Sequence, residues 1–153
     1  MDNEKIIEVL NTLIQINNDR FEGYDTAFKE TEEQDLKALF SQFMLTSQKC
    51  KQQLVDEVNR LGGKPTESTR LTGKFFRVWM DVKAFITGKD RKAILGSCEY
   101  GENIAVETYQ NVLNDDMENL RFDQQTMINA QHALIKADRD TVKAMHDELE
   151  TVS

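Results

Sequence analysis

Four long stretches of this 153-residue chain repeat their apolar residues at 3–4 spacing, and the connections between them are short, long and short. That combination constrains the fold more than any other feature. Spacing of 3–4 puts one apolar stripe on each helix, and connection length decides which helices can be sequential neighbours. The first stretch runs from about Asn3 to Lys29 through Ile6, Ile7, Leu10, Leu13, Ile14, Phe21, Tyr24 and Phe28, with Asp2 or Asn3 placed to cap its start. The second opens on Thr31-Glu-Glu-Gln34, a capping-box pattern, and continues through Leu36, Leu39, Phe40, Phe43, Met44, Ser47, Cys50, Leu54, Val58 and Leu61. Gly62-Gly63 ends it, with Pro65, the only proline in the chain, just beyond. The third starts at Asp90 as N-cap and passes through Ile94, Leu95, Cys98, Glu102, Ala105, Val106, Tyr109, Val112 and Leu113. A polar turn, Asn114-Asp115-Asp116, leads to the fourth, whose face carries Leu120, Met127, Ile128, Leu134, Ile135, Val142, Met145 and Leu149. No stretch alternates with period two for long enough to make a strand, so the chain is all-α.

Connection lengths then set the topology. The first–second and third–fourth links are a few residues each, which makes two antiparallel hairpins. The middle link, residues 62–89, holds its own amphipathic segment, Leu71 to Ile86, of about 16 residues or roughly 24 Å at the helical rise. With its flanks it can carry the chain along the bundle and restart it at the opposite end. Two hairpins joined by one long crossover, with the second and third helices parallel, is the ferritin-like arrangement. The expectation is a single domain over 1–153: a ferritin-like four-helix bundle with a fifth, shorter crossover helix.

Composition limits location and partners. The opening MDNEK and the amphipathic pattern after it do not form a secretory leader, and the longest apolar runs are three residues, too short to span a bilayer. Cys50 and Cys98 have no C-x-x-C spacing and are expected as buried thiols. The expected location is cytoplasmic. A net charge of −8 argues against nucleic acid, which needs clustered bases. The charge is uneven: residues 64–92 carry eight bases against three acids, so that segment is +5 and the remainder −13. Phe75, Phe76, Trp79, Val82, Phe85 and Ile86, with Lys74, Arg77 and Lys83 nearby, could settle on anionic lipid. The simpler reading is that this face covers the bundle and its bases answer the acidic remainder. No membrane partner is therefore expected, and a homo-oligomer such as a dimer is left open.

Polar residues interrupt each apolar stripe near its middle: Asn17 or Asn18 with Glu22 one turn on, then Ser47, then Glu102 with Glu99 one turn earlier, then Gln131 and His132. In helices of matched length the middles meet, which predicts a polar core layer of Asn17, Asn18, Ser47, Glu102, Gln131 and His132. Glu102 is the sharpest member, since Cys98, Ala105, Val106 and Tyr109 surround it at helical spacing. A buried glutamate must be protonated, hydrogen-bonded, paired with His132 or bound to a cation. A di-iron or di-manganese centre in such a bundle takes a glutamate from each of two helices and a Glu-x-x-His from each of the others. Here Asn129 precedes His132 by three residues and Lys143 precedes His146, while the second helix has no histidine. Both motifs are missing. What remains open is a non-standard iron, manganese or zinc site, with Glu22, Glu99, Glu102 and His132 as candidate ligands. Gly96 and Gly101, inside a helix, point to close approach of a neighbour. No catalytic motif appears: there is no nucleophile elbow, phosphate loop or H-E-x-x-H.

The runs Ile16-Asn-Asn-Asp-Arg-Phe-Glu-Gly-Tyr24, Gly73 through Trp79-Met-Asp-Val-Lys83 to Gly88-Lys-Asp-Arg91, and Cys98-Glu-Tyr-Gly-Glu102 resemble a bacterial family of small four-helix-bundle proteins of ferritin-like type, a domain of unknown function. The resemblance covers nearly the whole chain and is weakest over the last twenty residues. It implies the ferritin-like fold and carries no assigned activity. Its motif positions fall on Asn17, Asn18, Arg20, Glu22, Tyr24, Trp79, Glu99, Glu102 and His132. Three functions compete. One is a non-enzymatic structural or binding bundle without cofactor; the second is a metal-binding or redox protein built around Glu102 and His132; the third is a membrane-surface binder acting through the crossover helix.

Overall fold

A computed structural model describes residues 3–68 and 90–152 of the chain, the last two without their side chains. Those residues form four long helices and a single 3₁₀ turn: α1 Asn3–Glu30, α2 Gln34–Arg60, α3 Arg91–Asp115, the turn Met117–Asn119, and α4 Phe122–Val152. Among the described residues there is no strand. The expected fifth helix at 71–86, with Trp79 and most of the basic stretch, lies outside the described residues.

Each helix buries or half-buries the stripe that its spacing marks, except that Leu134 of α4 is exposed. On α1 the buried seam reads Ile6, Leu10, Leu13, Asn17, Arg20, Tyr24 and Ala27, alternating steps of four and three as a bundle helix does. α1 packs along α2, and α3 along α4. Contacts at the helix ends give the directions. Arg91, at the start of α3, donates to Glu33 (2.9 Å) and Asp35 (2.6 Å) at the start of α2, so α2 and α3 begin at the same end. Gln124, in the first turn of α4, donates to Glu57 near the end of α2 at 2.7 Å. Lys5 near the start of α1 lies 3.9 Å from Asp116 just after α3. Hence α1 and α4 run one way, α2 and α3 the other, and the two hairpins sit side by side with parallel inner connectivity.

The segment after α2 begins the return that this topology demands. Leu61 is the C-cap and Gly62 adopts φ 81°, the left-handed conformation that glycine tolerates best. Gly62 N–H then donates to Asn59 O and Gly63 N–H to Val58 O, each at 3.0 Å, the two bonds of a Schellman stop. Beyond it the chain climbs alongside α1. A Cβ on Gly63 would strike Ile7; Asn11 donates to Lys64 O and accepts from Thr66 N–H; Asn18 donates to Ser68 O at 2.9 Å. From Ile7 to Asn18 is a rise of roughly 16 Å along the helix.

Two local expectations need correction. The capping box at Thr31 does not form: α2 starts at Gln34, its N-cap is Glu33, and no side chain caps it. The reason is that Thr31 N–H still donates to Ala27 O, finishing α1, so Thr31 cannot also open α2. The turn before α4 is also longer than Asn114–Asp116, because α3 runs to Asp115 and the 3₁₀ turn intervenes. The Asp90 cap forms as its sequence context suggests, accepting from Ala93 N–H at 3.0 Å.

Candidate functional site

Two apolar clusters fill the bundle, one around Leu10, Leu54, Val112 and Ile128, the other around Phe40, Phe43, Ile94 and Val142. Between them all four helices contribute polar side chains. The centre is Arg20, fully buried on α1. Its guanidinium grips Glu102 of α3 with two parallel bonds, Nε to Oε1 and Nη2 to Oε2, both 2.9 Å. Nη2 also donates to Asp138 Oδ2 of α4 at 3.1 Å, and Nη1 to Ser47 Oγ of α2 at 2.6 Å. Tyr24, one turn along α1, donates its hydroxyl to Glu102 Oε1 at 2.8 Å and stacks on Phe40 at 5.6 Å.

A planar guanidinium suits this position because its fork matches a carboxylate face and leaves further donors for other helices. Burial by itself pushes Arg20 towards the neutral form, but the charges and hydrogen bonds of Glu102, with smaller help from Tyr24 and Asp138, hold its pKa above the ordinary value. Asp138 is shifted the other way for a carboxyl: burial raises its pKa and neighbouring Glu102 adds to that, against the pull of Arg20. Burial also raises Tyr24 and Cys98, each reinforced by the Glu102 charge. Burial thus keeps the Tyr24 hydroxyl and the Cys98 thiol in their protonated forms.

One or two turns nearer the α1 N-terminus lies a second, uncharged relay. Asn17 Nδ2 donates to Leu13 O and to the Tyr109 hydroxyl, at 2.9 and 2.8 Å. Tyr109 donates its hydroxyl to Gln131 Oε1 at 2.8 Å, and Gln131 Nε2 donates to Cys50 O and Gln53 Oε1 at 3.1 and 3.0 Å. This relay again ties all four helices. Burial drives Tyr109 upward and pushes the Cys50 thiol up to about 11. Both cysteines are free and buried.

The structure brings Asn17, Ser47, Glu102 and Gln131 into this interior, each no more than 1% exposed. Asn18 is buried but faces Ser68 rather than the bundle centre. His132 is half-buried and stacks on Tyr109, ring centroids 6.5 Å apart. Its Nε2 is enclosed with no hydrogen-bond partner among the described residues, and burial, with Lys136 and Arg139 nearby, lowers its pKa. Glu102 spends its oxygens on Arg20 and Tyr24, not on His132. Glu22 is exposed, and Glu99 turns to His146 at 3.2 Å. Spacing alone placed Glu22 beside the layer; the residue there is Arg20, with Asp138 opposite. Both were legible as seam positions, Arg20 between Asn17 and Tyr24, and Asp138 between Ile135 and Val142. Arg20 stands out in the sequence only through the family resemblance, and Asp138 not at all.

A di-metal centre does not fit these residues. Its carboxylates would have to converge with imidazoles, whereas here Glu102 and Asp138 converge on a guanidinium, and Ser47 stands where α2 would supply a ligand. A family model described as a domain of unknown function (DUF2383) matches residues 5–115. The chain belongs to this family. The sequence has no match among curated proteins. The DUF2383 match takes in Arg20, Tyr24, Ser47, Glu102 and Tyr109 and ends with α3, so Gln131 and Asp138 of α4 lie beyond it. No described helix is long and apolar enough to cross a membrane.

Proposed function

We propose that this DUF2383 chain is a ferritin-like bundle with a structural or binding role, in which the chain's own guanidinium holds the place that a metal pair would take. The observation carrying this reading is the pair of parallel hydrogen bonds from Arg20 to the two oxygens of Glu102. Those oxygens are the ones a central cation would need. Parallel α2 and α3, with the chain climbing back along α1 after α2, support the ferritin-like part of the reading. The chemistry of the site supports the non-enzymatic part. Arginine does not deprotonate in proteins, and the nearby tyrosines and cysteines are pushed towards their neutral, unreactive forms.

The test is elemental analysis of the purified full chain beside Glu102→Gln. Iron, manganese and zinc content should be the same in both proteins. Stoichiometric metal that disappears with Glu102→Gln would contradict the reading.

A further inference from the structure

Away from the central site, near the start of α3 and the end of α4, a second set of ligating atoms converges. One ligand atom each from Glu99, His146 and Asp147 lie within 4.8 Å of one another. His146 Nδ1 is 3.2 Å from Glu99 Oε1, and its Nε2 is 3.6 Å from Glu150 Oε1. The imidazole reaches this position across the gap between α4 and α3 because α3 carries Gly96 there. A Cβ at Gly96 would stand 3.2 Å from His146 Nε2. Glycine inside a helix is a destabilising choice, and here its bare backbone is the cradle in which the ring lies.

Glu99, Asp147 and Glu150 bring three carboxylates to this end of the bundle, with Lys143 2.7 Å from Asp147. Each ring nitrogen faces a carboxylate, Nδ1 towards Glu99 and Nε2 towards Glu150; a proton kept on Nε2 leaves the Nδ1 lone pair free for a metal ion. Two electron-rich atoms 3.2 Å apart need a proton or a metal ion between them. A carboxylate behind the far ring nitrogen is the usual outer support of a metal-bound histidine.

We propose that Glu99, His146 and Asp147 form a two-helix surface site for a divalent transition ion of the zinc class, bound by His146 through Nδ1. One imidazole and two carboxylates are a borderline donor set, suited to zinc, cobalt or nickel. Bond lengths near 2.0–2.2 Å draw the ligands closer than they now stand, which rotation of the Glu99 and Asp147 side chains supplies. Lys143 gives up an exposed pair in exchange. Three protein ligands leave a coordination position to water, so the site could also take a small anion.

The site shares no residue with the central guanidinium cluster. The experiment is a calorimetric titration of the chelator-stripped full chain with zinc, repeated with cobalt to read the visible absorption of the bound ion. One equivalent should bind, and His146→Asn and Glu99→Gln should each weaken it at least tenfold with unchanged far-UV circular dichroism. Gly96→Ala should weaken it less but measurably, by crowding the ring. Absence of saturable one-equivalent binding, or equal affinity in His146→Asn, would overturn the proposal. Neither result bears on the central-site reading, whose test turns on Glu102.

Discussion

Replacing Arg20 by methionine removes the guanidinium while keeping a long, unbranched, helix-compatible side chain. It leaves Glu102, wholly buried, and Asp138, with 8% of its side chain exposed, facing each other without a counter-cation. Ser47 loses its partner as well. Removing one member of a buried ion pair costs about 3–5 kcal/mol, because the remaining charge is stranded. For a chain of this size each kcal/mol lowers the melting temperature by about 2–4 °C, so Arg20→Met should lower it by roughly 10 °C. The double variant Arg20→Met/Glu102→Met separates stranding from lost attraction. It removes both charges of the pair and should be more stable than Arg20→Met alone, since a buried pair replaced as a unit is often nearly neutral. Urea unfolding of wild type, both singles and the double gives the coupling energy directly. A loss under about 1 kcal/mol for Arg20→Met, or additive single costs, would refute the buried-pair reasoning.

Asp138 carries a pH prediction. Its pKa in the folded chain lies above the ordinary 3.8, with burial as the main cause. Between 3.8 and that raised value the folded chain holds a proton that the unfolded chain has released, so stability falls as pH rises through the window. Asp138→Asn removes the effect, and its stability relative to wild type should increase over the same window; a relative decrease would contradict the assignment. At the end of α2, Gly62→Ala meets no atom within 4 Å, so its cost is purely conformational. It should lose about 1–2 kcal/mol for the left-handed residue, with Gly62→Asn losing less, as read by chemical denaturation.

The four long helices, their hairpin pairing and the direction of α3 were legible because they follow from spacing and from connection lengths, which packing cannot easily override. The interior of the site was legible only in part. Glu102, Ser47 and Gln131 stood out as polar residues among apolar neighbours, and their burial follows from that contrast. Arg20 occupies an equally good seam position, but a long cationic side chain on a helix is ordinarily solvated. Only the opposing carboxylates of two other helices make its burial tolerable, and those partners are 82 and 118 residues away. His132 shows the sensitivity of such readings to one position. It follows Gln131 by a rotation of about 100°, enough to turn it out of the relay and onto the ring of Tyr109. The Thr31 box failed for a similar reason, since whether α1 continues to Thr31 is decided by the tight join to α2 and not by the four residues themselves.

The account stands on Arg20 being the charged centre of the bundle, and its side-chain N–H groups report on that directly. In nitrogen-15-edited NMR of the full chain at pH 9, where exposed guanidinium protons exchange too fast to be seen, an Nε–H resonance should persist, exchange only on the slow timescale of deep opening, and vanish in Arg20→Lys. A spectrum in which no persistent Nε–H is lost in that variant would contradict the account.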